Sequence, residues 1–231
     1  MRRAIAVRGL QWGLIPLGVV LAVMLGAIVS SALLGRAQNP LAVLVSGVVM
    51  FAVAFTLVLV SDRVVRGTFP STSELGLKGG LRWRDWLYGV GGLVLYIIAV
   101  MGAFALAKVI FPGVDWEQGQ EVGIRNGVVG MDRLFAFVAL VVVAPFVEEV
   151  LFRGYLFSRL RSVQVPLWAT IGIVSIVFAA VHLQINVGLD VFILSVVACI
   201  LRHLTGSVWP GIIVHMVKNL IAFYIVFVLA L

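Results

Sequence analysis

An all-α, polytopic transmembrane helical bundle is the fold class the sequence predicts, and three observations carry it. Hydrophobic residues make up 62% of the 231 residues, where soluble domains have roughly 45–50%. Charged residues supply only 12%, about half the usual share. Apolar runs of about 17–25 residues, the length that crosses a bilayer, recur seven times. A soluble globule of this size exposes too much surface to hide such a composition. That excludes an ordinary cytosolic enzyme, a disordered protein and a disulfide scaffold, and the lone Cys199 has no intrachain partner.

The seven expected spans are 10–35, 40–61, 86–110, 132–158, 166–183, 188–204 and 208–231, with eight as the alternative count. The first follows Met1-Arg2-Arg3. Its apolar stretch exceeds the 7–15 residues of a signal-peptide core, so it reads as a retained signal anchor. Residues 1–131 read as N-terminal membrane helices and residues 132–231 as the catalytic helical core, within one integral membrane domain. Two connections are longer than the others. Residues 62–85 form a basic loop with turn signals at Gly67, Pro70, Gly76 and Gly79-Gly80. Residues 111–131 are acidic and glycine-rich, and either loop has room for a short interfacial helix.

The basic residues orient the bundle. With the N-terminus in the cytoplasm, the inner segments hold Arg2, Arg3, Arg8, Arg63, Arg66, Lys78, Arg82, Arg84, Arg159, Arg161 and Arg202. The outer segments hold only Arg36, Lys108, Arg125 and Arg133, as the positive-inside rule requires. The net charge of +7 is therefore a topology signal, not a nucleic-acid footprint. Absence of organelle-targeting signals and short loops suit a prokaryotic inner membrane.

Most acids fall in loops or at span edges, with Asp190 near the start of the sixth span. Glu148 and Glu149 lie well inside hydrocarbon, where a charge costs at least about 2.5–3.5 kcal/mol and marks a functional site by default. Glu149 and Arg153 are spaced i,i+4 with the acid first, the favoured ion-pair order. Glu148 points about 100° away around the helix, free to face a cavity. Pro145 removes a donor and should free a carbonyl nearby. Two further elements follow: Phe178 to His182 at the end of the fifth span, and His215 to Asn219 on one face of the last. His203, beside Arg202 at a helix end, suits the helix dipole and stays outside the site. The purely structural alternative is a buried ion-pair cluster that fixes helix packing. At 1.5 Å per residue, His182 comes out deeper than Glu148 and His215 unless the fifth helix starts in the cytosol or its connection dips inward.

These elements resemble the signature of the CPBP family of CAAX proteases and bacteriocin-processing membrane proteins, also called the Abi family. Its pattern is Glu-Glu-x-x-x-Arg, Phe-x-x-x-His and His-x-x-x-Asn or Asp. Here these are Glu148-Glu149 to Arg153, Phe178 to His182, and His215 to Asn219. The resemblance covers roughly residues 132–222, and its prenyl-endopeptidase branch has eight spans. It implies an intramembrane endopeptidase acting on a peptide or lipid-modified protein at the bilayer, with no nucleic-acid partner.

No Ser-His-Asp or Cys-His set is present to supply a nucleophile. Zinc held by Glu148, His182 and His215 is one route, but there is no His-Glu-x-x-His helix, and Asn219 is a poor zinc ligand. The favoured route needs no cofactor. Glu148 acts as general base on a water also held by His182, His215 and Asn219 donate to the oxyanion, and Glu149 and Arg153 brace the helix beside Phe178. A non-proteolytic scaffold and a proton-coupled transporter are the alternatives from other classes. The transporter lacks the internal repeats usual in that class.

Overall fold

A computed structural model describes residue 15 and residues 18–29, 40–116 and 129–229. The described helices are α1 (Gly18–Val29), α2 (Pro40–Arg66), α3 (Trp83–Ile110), α4 (Gly130–Ser162), α5 (Leu167–Ala180), α6 (Ile185–Thr205) and α7 (Trp209–Val228). Each matches one expected apolar run. The ends of the expected first span 10–35, and Glu117, Glu121 and Arg125 of the outer loop, lie outside the described residues.

Among the described residues, five helices are long and apolar enough to cross a membrane, which makes this an integral membrane protein. The expected fifth span, 166–183, needs correction. Its helix has 14 residues, about 21 Å at 1.5 Å per residue, against a hydrocarbon core of about 30 Å. Residues 181–184 form a turn instead, with Leu183 at φ 59°, and α6 packs back against α5 as an αα-hairpin.

The bundle is built inside out. The α3 face carrying Leu87, Val90, Val94, Ile98 and Met101 is exposed, as lipid-facing residues should be. Its opposite face is buried on glycines. A Cβ on Gly89 would lie 2.9 Å from Ile213 of α7, and one on Gly92 2.6 Å from Leu201 of α6. Small residues therefore let α3 approach both helices closely. Among the described residues, the largest core cluster joins α1, α2, α4, α5 and α6 through Val19, Ala54, Leu151, Val174, Phe178 and Val191.

The 62–85 connection holds one helical turn instead of an interfacial helix. Ser71 and Glu74 form a capping box: Glu74 Oε2 accepts from the Ser71 N–H at 2.7 Å, and Ser71 Oγ accepts from the Glu74 N–H at 3.2 Å. Gly76, at φ 71°, closes the turn, with the Leu77 N–H reaching back to Thr72 O and the Gly76 N–H to Ser73 O. The Ser71 N–H, and then the Arg66 guanidinium, hold the Glu74 carboxyl below its ordinary range. The turn is docked on the core. Ser158 Oγ and Arg202 Nη2 both donate to Glu74 O, and the Val208 N–H donates to Gly76 O. Gly154 permits this, since a Cβ there would stand 2.8 Å from Leu75 O. Asp62, expected at a span edge, is 3% exposed and is held by Arg66, Arg159 and Tyr155.

Candidate active site

The geometry of the polar cavity starts with an irregularity in α4. Residues Val138–Val143 run in π register, so the Ala144 N–H donates to Ala139 O, five residues back. The next donor in that register would be residue 145, a proline without an N–H. The carbonyl it strands is that of Leu140, and Asn219 Nδ2 of α7 donates to it at 2.7 Å. A freed carbonyl thus fixes the carboxamide of the third motif.

One turn further along α4, Glu149 is completely buried and its Oε1 serves two partners. Arg153 Nη1 lies 3.0 Å away as the i,i+4 ion pair, and His215 Nδ1–H donates from α7 at 3.1 Å. Glu149 therefore does more than brace its own helix. An ionised carboxylate only accepts, so the proton sits on Nδ1 and Nε2 is the nitrogen presented to the cavity. Gly211 makes room for the contact, because a Cβ there would lie 2.8 Å from Glu149 Oε2.

Phe178 packs behind the site and is fully buried. Arg153 lies 4.3 Å from its ring centroid, a buried cation on an aromatic face. The rings of Phe152, His182 and His215 meet it edge-on at 4.9, 4.9 and 6.0 Å. His182, in the turn after α5, donates from Nδ1 to Phe178 O at 2.8 Å. A carbonyl can only accept, so Nδ1 carries a proton and Nε2 is the ring nitrogen left for the cavity. His182 stands in the turn by which the chain reverses from α5 into α6.

Glu148, His182, His215 and Asn219 line one cavity of about 230 Å³ between α4, the turn after α5, α6 and α7. Glu148 Oε2 stands 3.8 Å from His215 Nε2, within ion-pair range but long for a hydrogen bond. Glu149, Arg153 and Phe178 lie behind this wall. Among the described residues, no three His, Cys, Asp or Glu side chains stand together as a metal-ligating set.

Lys218 also lines the cavity, and sequence reasoning left it unassigned. Its Nζ pairs with Asp190 Oδ2 of α6 at 2.9 Å, and Tyr96 of α3 donates its hydroxyl to Asp190 Oδ1. The available signal was a lysine and an aspartate both inside apolar spans.

Residues 130–221 match a family model described as type II CAAX prenyl endopeptidase Rce1-like. The match runs from the first residue of α4 into α7, contains all three motifs, and is consistent with the CPBP resemblance. No curated protein and no solved structure matches the chain.

Proposed function

We propose that this protein is an intramembrane endopeptidase that hydrolyses a peptide bond of a membrane-associated substrate, as in CAAX-type or bacteriocin-type processing. The observation that carries the reading is the cavity, with Glu148 3.8 Å from His215 and with His182 and Asn219 on its walls. The family match over residues 130–221 supports the reaction class. The orientation proposed is an inner-membrane protein with its N-terminus in the cytoplasm.

Glu148 removes a proton from a water whose other O–H is held by the bare Nε2 of His182. The hydroxide adds to the substrate carbonyl carbon, and the developing oxyanion accepts hydrogen bonds from His215 Nε2 and Asn219 Nδ2. Because its Nδ1–H is engaged by Glu149, His215 donates from Nε2 only when both ring nitrogens carry protons. Asn219 uses one N–H on Leu140 and keeps the second for substrate. Collapse of the intermediate breaks the C–N bond, and protonated Glu148 gives its proton to the leaving amine, regenerating the carboxylate. Glu149 positions His215, and Arg153 balances its charge. Both histidine tautomers would also suit a metal. The poor ligand character of Asn219 favours water.

The test uses purified protein in liposomes and a farnesylated peptide ending Cys-Val-Ile-Met, a C-a-a-X sequence. Glu148→Gln should lower kcat about 100-fold or more, the usual worth of a general base, and wild-type cleavage should survive strong chelation. Full activity in Glu148→Gln overturns the assignment. Activity lost on chelation and restored by zinc overturns the metal-free mechanism.

A further inference from the structure

A second hollow, which shares no lining residue with the polar cavity, runs as a groove of about 550 Å³ between α3 and α6. Two helical stripes make its walls. Leu87, Gly91 and Leu95 recur every four residues on α3, and Val197, Leu201 and Leu204 stand at i, i+4 and i+7 on α6, so each set lies along one face. Glycine opens the space between them. A Cβ on Gly91 would meet nothing within 4 Å, whereas one on Gly92 would lie 2.6 Å from Leu201. The helices therefore touch at Gly92 and part at Gly91. From Arg84 to Leu95 the groove runs about 16 Å along the axis. That is close to half of a hydrocarbon core of about 30 Å, the depth of one leaflet.

Polar groups gather at one end of the groove, beside the 62–85 connection. Arg84 and Tyr88 are four residues apart on one face of α3 and both line it. Both also line an adjoining hollow of about 100 Å³ with Arg82, Asp85 and Thr205. Among the described residues, neither the Arg84 guanidinium nor the Tyr88 hydroxyl has a hydrogen-bond or ion-pair partner. The other polar groups there are engaged. Asp85 Oδ2 accepts from the Arg82 N–H at 2.8 Å and stands 3.4 Å from Arg82 Nε. Thr205 Oγ1 donates to the Leu201 and Ser207 carbonyls. Arg82, Arg84 and Asp85 together carry one positive charge, and Arg84 is the cation left to hold a ligand.

We propose that the α3–α6 groove binds an anionic phospholipid of the adjoining leaflet, with an acyl chain in the apolar slot and the phosphate on Arg84 and Tyr88. Length and charge together commit the occupant. A bilayer lipid brings an apolar chain one leaflet deep and a polar head at the surface. The single negative charge of its phosphodiester matches the single positive charge at the groove mouth. A zwitterionic head carries its own cation and leaves that charge unbalanced. A guanidinium holds two phosphate oxygens at once, and the Tyr88 hydroxyl adds a further donor. Basic pockets between membrane helices bind such head groups on the cytoplasmic side, which is the side of this connection in the proposed orientation. Trp83, exposed beside Arg84, belongs at the same interfacial level. The site uses none of the cavity residues and stands independently of the endopeptidase reading.

The experiment is native mass spectrometry of the full chain released from nanodiscs. These hold equal amounts of phosphatidylglycerol, phosphatidylethanolamine and phosphatidylcholine with identical acyl chains. Wild type should retain phosphatidylglycerol over each of the others by about tenfold or more, the worth of one charge-assisted hydrogen bond. Arg84→Gln should bring that ratio near parity, and Tyr88→Phe should lower it about threefold, the worth of a neutral hydrogen bond. Lys78→Gln removes the same charge from an exposed site on the connection and should leave the ratio unchanged. Gly91→Leu fills the slot and should lower retention of all three lipids. Thermal unfolding in detergent without added lipid checks that each variant is folded as wild type is. Equal retention of the three lipids by wild type overturns the proposal. An equal loss in Arg84→Gln and Lys78→Gln also overturns it, in favour of diffuse surface attraction. Undiminished retention in Gly91→Leu overturns the groove as the seat of the chain. Displacement of the lipid by inorganic phosphate overturns the lipid assignment in favour of a free-phosphate site.

Discussion

Gly211 shows how little freedom single residues have around the buried Glu149. An added Cβ would stand 2.8 Å from Glu149 Oε2 and 3.3 Å from Ala198 Cβ. The carboxylate cannot swing away without releasing Arg153 and His215, which it holds at 3.0 and 3.1 Å. Gly211→Ala should therefore lower stability in detergent by about 1–3 kcal/mol, the usual cost of overpacking, and reduce kcat by misplacing His215. Thermal unfolding and peptide cleavage check this, and a variant indistinguishable from wild type in both would show the contact to be slack. The Glu149–Arg153 contact was legible in the sequence because i,i+4 neighbours meet on any helix. The Glu149–His215 contact was not, since 66 residues separate the partners and only helix packing brings them together.

At the scale of the element, α4 couples its own break to the third motif. Pro145 strands Leu140 O, and Asn219 takes the place of the missing donor. Restoring the N–H with Pro145→Ala gives that carbonyl an in-helix partner and loosens the carboxamide. Stability should hold or rise while activity falls. The destabilisation caused by Asn219→Ala should be smaller in the Pro145→Ala background by about 0.5–1 kcal/mol, as expected for residues sharing one hydrogen bond. A double-mutant cycle on unfolding measures it, and strict additivity would show that the two residues do not share the carbonyl. The sequence showed that Pro145 frees a carbonyl, but the identity of that carbonyl depends on a π register that propensity does not encode. The same holds for α5. Its apolar run continues past Ala180, but the chain turns there because His182 is held to Phe178 O and sits against the Phe178 ring.

Across the whole molecule, charge carries the proposed orientation and packing brings the candidate site together. Lys78 is exposed on the docked 67–82 connection, Gly113 is exposed beyond α3, and the native Cys199 is buried. In vesicles of known sidedness, an impermeant maleimide should label Lys78→Cys only from the cytoplasmic face and Gly113→Cys only from the outer face. The reverse pattern would invert the topology. The sequence by itself determined the membrane class, the seven apolar helices and the basic-inside bias, and singled out Glu148, Glu149, Arg153, Phe178, His182, His215 and Asn219 as candidates, because hydropathy, charge and motif spacing are local properties of a chain. Only the tertiary structure decided that Glu149 serves Arg153 and His215 together, that Asn219 binds Leu140, that the 71–77 turn docks on Arg202, and that Lys218 stands on the cavity wall with Asp190 behind it. Each of these joins residues far apart in the chain. Which distant faces meet depends on where glycines such as Gly92, Gly154 and Gly211 let backbones approach, and that is a property of helices packed together.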